Sequence, residues 1–150
     1  MWPRIWRRFA GQQQRVAARW LRARAAIACA VGRDAPSERA KLLAEARRMA
    51  RSLEKEGASW AAALGRSVLA GAASAGGNDE QALALLGQAE TLLEAAQLES
   101  VWAAVRMARG RLVGGDSGRA LMEGAAEWMA QQRLSEAGNW AQLPIGKLLR

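Results

Sequence analysis

The sequence contains no histidine and no tyrosine, and its only cysteine is Cys29. A serine nucleophile needs a base, usually histidine, and zinc sites draw mainly on cysteine and histidine. The composition therefore predicts a chain with no catalytic role, no cofactor and no metal site. A single cysteine also excludes an internal disulfide bond, which favours a reducing, cytoplasmic location.

Long apolar runs and β-branched residues are scarce as well. No stretch approaches the roughly 20 apolar residues that a membrane span requires. The apolar run 25–31 follows a series of arginines and is too short for the hydrophobic part of a signal peptide. A sheet has few valine, isoleucine and threonine residues to build with, whereas alanine, leucine, arginine, glutamate and glutamine are abundant helix formers. The composition predicts one all-α domain.

Residues 115–118 spell Gly-Asp-Ser-Gly, the tetrapeptide that surrounds the nucleophile in trypsin-like serine proteases. Without histidine, and with no lysine tied to Ser117 by the sequence, no base for that serine can be identified. We interpret the stretch as a junction between two helices. Gly114 and Gly115 end the first helix in a left-handed conformation, and Asp116 or Ser117 caps the second.

Apolar periodicity and turn residues predict six helices joined by short turns, a pattern typical of antiparallel neighbours. We expect Asp34 or Ser37 to cap the second helix and Asn78 or Asp79 to cap the fourth. The predicted helices cover residues 4–31, about 37–56, 59–73, about 79–97, 99–112 and about 116–132, and a short terminal helix or turn at 139–149 is interrupted by Pro144.

The second and third helices repeat in the fourth and fifth. A shift of 42 residues aligns Trp60 with Trp102. This predicts stacked antiparallel hairpins forming a short tetratricopeptide-like solenoid, with the two tryptophans as equivalent core residues. The period is longer than the roughly 34 residues of a tetratricopeptide repeat, and that motif's usual Gly, Tyr and Pro are missing. The same shift aligns Leu43 with Leu85, Ala40 with Ala82 and Glu38 with Glu80.

Positive charge is concentrated at the start of the chain. Residues 1–33 hold eight arginines and no acidic residue, so the net charge of +8 lies there, while residues 34–150 sum to zero. We therefore divide the chain into a basic amphipathic helix, residues 1–33, and helical-hairpin repeats with a C-terminal capping helix, residues 34–150. Arg24 points into the apolar side of the first helix. The predicted exposed face, suited to an acidic partner, consists of Arg4, Arg8, Arg15, Arg19 and Arg22.

The C-terminal half carries a leucine ending, a Gly-Gly turn, a Trp-Met pair and a short apolar tail, at Leu112, Gly114-Gly115, Trp128-Met129, Trp140 and Leu143-Pro144. On these features residues 79–150 resemble the C-terminal helical-repeat region of large bacterial serine/threonine protein kinases, although the family's Asn-Pro is absent near Asn139. Residues 1–78 share only the helical architecture. No Gly-rich loop with its lysine and no His-Arg-Asp or Asp-Phe-Gly motif occurs here. The resemblance implies the regulatory repeats without the kinase.

Two functions fit this sequence. The first is a protein-interaction module that holds a protein or peptide partner along the hairpins. The alternative is a cationic binder of an anionic membrane surface or a nucleic acid, acting through the arginine-rich first helix. A structural cap at the end of a longer chain is a third interpretation.

Overall fold

The computed structural model describes the backbone of residues 2–132 and, from residue 11 onward, their side chains. Within this span the chain forms only helices joined by short turns, which confirms the predicted all-α fold. The predicted terminal segment 139–149 lies outside the described residues. The helices are α1 (Trp2–Val31), α2 (Pro36–Glu54), α3 (Ser59–Ala75), α4 (Asp79–Ala95), α5 (Glu99–Val113) and α6 (Gly115–Gln131).

Helix ends follow the turn residues closely. At the start of α4, the Asn78 side chain accepts a hydrogen bond from the backbone N–H of Gln81 at 3.0 Å, so Asn78 is the cap and Asp79 is not. The start of α2 differs from the prediction, because its cap is Ala35 and makes no side-chain hydrogen bond. Pro36 explains this, since proline suits the first helical position and pushes the preceding residue into an extended conformation.

α3 is the central helix and packs against α1, α2 and α4. Eleven of its residues are buried, most of them alanine, glycine or serine, so neighbouring backbones approach it closely. A Cβ atom added at Gly65 would lie 2.7 Å from the carbonyl oxygen of Ala50 in α2. The absence of a side chain at this position therefore sets the distance between the two helices.

Two arginines of α2 donate hydrogen bonds to backbone carbonyl groups in the last turn of α3. Arg39 donates to the carbonyl oxygen of Ala75, and Arg47 donates to that of Ala72 at 3.3 Å. Carbonyl groups in the last turn of a helix lack partners within the helix, and cationic donors satisfy them well. Because the first half of α2 meets the end of α3, the two helices form an antiparallel hairpin.

The basic helix α1 belongs to the same packed unit. Its residues Ala23 and Ile27 share a hydrophobic cluster with Leu43 of α2 and Val68 of α3. Val16 and the half-buried Trp20 join a second cluster with α2 and α3, against which Val101 of α5 packs. The proposed boundary at residue 33 falls in the α1–α2 turn, and the helices on both sides of it build a common core.

The two predicted hairpins are related, with a difference in register between their helices. In α3 and α5 the shift of 42 residues holds, since Ala61 and Ala103 are both fully buried directly after the half-buried Trp60 and Trp102. In α2 and α4 the buried positions correspond one residue later, Leu43 with Leu86 instead of Leu85. The α2–α3 turn, residues 55–58, is one residue longer than the α4–α5 turn, residues 96–98, which accounts for the difference.

Candidate binding sites on the helical stack

The predicted arginine face lies at the seam between α1 and α2. The side chains of Arg15, Arg19 and Arg22 remain 57%, 41% and 73% exposed. Arg4 and Arg8 lie in α1, but their side chains fall outside the described ones. Burial along α1 reaches the arginine row itself, because Ala26 and Ala30 are buried in the cluster that also contains Leu43 of α2.

Acidic residues of α2 and of its C-terminal turn already neutralise part of this face. Glu56 pairs with Arg19 and lies 3.9 Å from Arg15, and its side chain is only 12% exposed. Glu45 pairs with Arg22 at 3.0 Å. The first 33 residues contain no acidic residue, and the sequence alone did not show that the fold brings two glutamates from α2 and its C-terminal turn to these arginines. These contacts tie α1 to α2 and reduce the charge left for an external partner.

Other basic residues of α2 are exposed without such partners. Lys41 and Arg48 of α2 and Lys55, which directly follows the helix, recur every seven residues and so lie on one side of it, with Arg51 close to them. Between residues 11 and 132, none of these four side chains makes an ion pair. Among the described side chains, the basic residues at this end that make no ion pair therefore include these four, on α2 and directly after it.

Arg24 points into the core, as the periodicity of α1 predicts. It is 3% exposed, and its guanidinium carbon lies 4.2 Å from the centre of the Trp20 ring. Burial without a counter-charge lowers the pKa of Arg24 below the ordinary value for arginine. Among the described side chains no carboxylate pairs with it, and its Nε–H finds no acceptor.

Ser117 is an exposed residue within the first turn of α6. The expectation that Asp116 or Ser117 caps this helix is wrong. The cap is Gly114, with φ of 65°, and α6 already begins at Gly115. The first backbone hydrogen bond of the helix runs from Gly118 N–H to the carbonyl oxygen of Gly114 at 2.9 Å, so Asp116 and Ser117 lie inside the helix, whereas a capping residue must lie at its edge. The expected positive φ at both Gly114 and Gly115 is confirmed.

A cleft opens where the α4–α5 turn meets the second half of α6. It has a volume of about 320 Å³. The half-buried Trp102, near the start of α5, and Trp128, near the end of α6, bring two indole rings to it. Both rings also pack on the cluster formed by Ala103, Ala125 and Met129, which fixes their positions. The residues lining the cleft are Leu93, Glu94, Gln97, Glu99, Trp102 and Trp128.

The turn that lines this cleft contains a strained residue. Gln97 has φ of 54°, in the left-handed region that side chains other than glycine rarely adopt. The preceding α3–α4 turn has the same hydrogen-bond pattern, and there Gly77 occupies the equivalent place with φ of 83°. Position 97 thus carries a glutamine where a glycine would adopt the left-handed conformation at lower cost, and this glutamine lines the cleft.

Charge at the cleft is acidic and unpaired. Glu94 and Glu99 are exposed, and neither makes an ion pair within the described part of the chain. One turn earlier on α4, by contrast, Glu90 is paired with Arg109. Arg106 lies over Trp102, 4.9 Å from the ring centre, and is not among the lining residues.

The sequence indicated the tryptophans but missed the cleft. The sequence predicts Trp102 as a core residue, whereas the structure has it half-buried, and the sequence gives Trp128 only as part of the Trp-Met pair. Glu94, Gln97 and Glu99 flank one turn, and this clustering of polar residues was the available signal. The end of α6 faces that turn because of the way α6 crosses α5, where Gly110 and Gly118 let the backbones meet closely. The sequence does not reveal this crossing.

Neither a metal site nor a membrane span emerges from the described structure. Residues 11–132 contain no group of three His, Cys, Asp or Glu side chains that could hold a metal ion. No helix between Trp2 and Gln131 is long and apolar enough to cross a bilayer.

Comparison of the chain with protein-family models, with curated protein sequences and with solved structures finds no match.

Proposed function

We propose that this chain is a non-catalytic protein-interaction module that holds a segment of a partner protein in the cleft between the α4–α5 turn and α6. The observation that carries this proposal is the pair of positioned tryptophans, Trp102 and Trp128, at an open cleft. Tryptophan is among the residues that contribute most binding energy at protein interfaces, because its large rigid surface loses little conformational freedom.

The size and lining of the cleft support this function. A volume of about 320 Å³ lies at the lower end of the range for ligand sites, enough for one or two side chains of a partner. Apolar area from the tryptophans and Leu93 combines with a few polar groups on the rim, the combination typical of recognition sites. The strain at Gln97 adds to this, since unfavourable backbone angles cluster at binding sites.

The cellular setting belongs to the same proposal. A cytoplasmic module of bacterial signalling is what the resemblance of residues 79–150 to the C-terminal repeats of serine/threonine kinases implies. In that setting the hairpin stack acts as a scaffold, and the partner is a protein or peptide.

The test is an NMR titration of the ¹⁵N-labelled full chain with a pool of synthetic twelve-residue peptides. The tryptophan indole signals are assigned from single Trp→Phe variants. We expect the Trp102 and Trp128 signals to move on titration, while those of Trp20 and Trp60 stay in place, because the latter two pack in a cluster away from the cleft. If neither cleft signal moves with any pool, the proposed site is wrong.

A second candidate function is supported by the exposed basic residues of α2. Lys41, Arg48, Arg51 and Lys55 are exposed and make no ion pair among the described side chains, so they could bind the negative charge of an anionic membrane surface or a nucleic acid. Co-sedimentation with anionic vesicles at low and high salt tests the lipid form. Binding that is lost at high salt and in a variant with all four α2 residues changed to Gln would favour this function over the cleft.

A further inference from the structure

We infer that the cleft recognises its partner through a positively charged side chain, a lysine or an arginine flanked by apolar residues. This inference rests on the proposed function, because it names the chemistry of the segment that the cleft holds. It follows from three features of the lining: unpaired carboxylates, indole rings and the side chain of Gln97.

The carboxylates set the sign of the charge. Glu94 and Glu99 stand on either side of the α4–α5 turn, and neither has a cationic neighbour in ion-pair distance among residues 11–132. A nearby acid that is buried, Glu90, is paired with Arg109. In a chain of net charge +8, both charged side chains that line this cleft are acidic. They attract a cation and repel an acidic segment.

The indole rings suit the same ligand. The face of a tryptophan ring attracts ammonium and guanidinium groups, and one such contact already exists where Arg106 lies over Trp102. Arg106 does not line the cleft, so the carboxylates on the rim remain available. Trp128 and the buried Leu93 offer apolar surface to the methylene groups that precede the charge in lysine and arginine.

Gln97 supplies a neutral acceptor at the turn. Its amide oxygen accepts hydrogen bonds from an ammonium or guanidinium donor. A Cβ atom at the equivalent Gly77 would meet nothing within 4 Å, so packing does not dictate the choice between the two residues in that turn. A glycine would be the less strained choice at position 97, and we assign the glutamine side chain to ligand recognition.

A purely apolar or an acidic occupant fits less well. An apolar side chain would remove water from two carboxylates without giving them a partner, which costs free energy. For an anion, the lining provides no cationic side chain, only the N–H groups of Gln97 and of the two indoles. The partner is therefore a protein segment with a lysine or arginine, not a nucleic acid or an anionic lipid.

The experiment compares three synthetic peptides of sequence Ala-Leu-Ser-Xaa-Leu-Ala, in which Xaa is lysine, norleucine or glutamate. Binding to the full chain is followed by the Trp102 and Trp128 indole signals. We expect the lysine peptide to bind about tenfold more tightly than the norleucine peptide at low salt, with the glutamate peptide weakest. The double variant E94Q/E99Q should lose this preference, because it weakens lysine binding and removes the desolvation of the carboxylates that opposes norleucine binding.

A matched control changes the same charge elsewhere. The variant E80Q/E123Q removes two exposed carboxylates of α4 and α6 that do not line the cleft, and it should keep the preference for lysine. The variant Q97G should weaken lysine binding while raising the unfolding midpoint. The reciprocal G77Q should lower that midpoint and leave binding unchanged.

The outcomes separate this inference from the proposed function. Equal affinities for the lysine and norleucine peptides, with both cleft signals moving, would overturn the cation preference alone. If neither signal moves with any of the three peptides, as when another part of this chain already fills the cleft, the inference is overturned. If the peptide pools also move neither signal, the proposed function is overturned as well. If E94Q/E99Q still prefers the lysine peptide, the two carboxylates do not recognise the cation, and the inference is overturned.

Discussion

Arg24 shows how a single side chain can oppose the stability of the core that contains it. Its guanidinium is buried between helices with a ring of Trp20 on one face and no carboxylate within the described residues. A cation–π contact in a dry environment contributes about 2 kcal/mol, whereas the effective penalty for burying one ion is several kcal/mol. The penalty wins, so this residue reduces the free energy of unfolding.

Replacing Arg24 with methionine should therefore stabilise the protein. Methionine has a similar length and keeps the contact with Trp20, so we expect a gain of about 1–2 kcal/mol in urea unfolding. The pKa of Arg24 is lowered in the folded state, so the penalty is fully present at every pH below that pKa and disappears only as pH rises beyond it towards the ordinary pKa of arginine. The gain should accordingly be the same at pH 6 and at pH 8.

Arg22 provides the control for this substitution. It is largely exposed and pairs with Glu45 at the surface, so R22M should change stability by less than about 0.5 kcal/mol. A loss of stability in R24M, with R22M unchanged, would show that the Trp20 stack outweighs the desolvation of the guanidinium.

At the scale of the helices, small residues at two crossings decide how closely elements approach. Gly65 lets α3 lie against the backbone of α2, and Gly110 meets Gly118 where α5 crosses α6. Glycine within a helix usually costs stability relative to alanine, because it leaves the unfolded chain more freedom. At these crossings the closer packing outweighs that cost.

We expect Gly65→Ala to destabilise the protein by about 1–3 kcal/mol, because its Cβ would press on the carbonyl oxygen of Ala50 and force the helices apart. Gly87→Ala in α4 is the matched control, since nothing lies within 4 Å of its added Cβ. That change should stabilise by about 0.5–1 kcal/mol. Chemical unfolding of the two variants measures both effects, and a stable Gly65→Ala would contradict the close approach.

The sequence predicted these elements well wherever one local rule dominated. Apolar periodicity and turn residues predicted the six helices, and Asn78 caps α4 through a side-chain hydrogen bond. The predicted caps of α2 and α6 are wrong because Pro36 and Gly114 fix where these helices begin. Ser37 and Asp116 therefore lie inside the helices instead of at their caps. The repeat was found from Trp60 and Trp102, but a single shift could not align all four helices across turns of unequal length.

The candidate sites depended on contacts between distant segments, and the sequence could not supply these. The arginines of α1 looked like an unneutralised face because their partners, Glu45 and Glu56, belong to α2 and its C-terminal turn. The cleft needed a turn from α4, the start of α5 and the end of α6. Only the geometry of the α5–α6 crossing brings Trp128 to Trp102.

Across the whole molecule, charge is distributed unevenly along the stack. The surplus of positive charge lies on the side of α1 and α2, and the acidic cleft lies among α4, α5 and α6. Each helix packs mainly on its neighbours in sequence, with the further contact of α1 with α3. Such a stack gains its stability from interfaces between adjacent elements, so a change at one end is felt mostly at that end.

Hydrogen exchange in two core variants measures how independently the two ends of the stack unfold. Met129 is 1% exposed and packs between α5 and α6, so Met129→Ala should weaken that interface by about 2–5 kcal/mol. Amide hydrogen exchange in α5 and α6 should then accelerate by at least about thirtyfold, while α1 to α3 keep their protection. The reciprocal Ile27→Ala, at the α1–α3 end, should accelerate exchange there and spare α6. Equal acceleration in all six helices in both variants would show that the stack unfolds as one unit, and the cleft could then not open or close independently of the core.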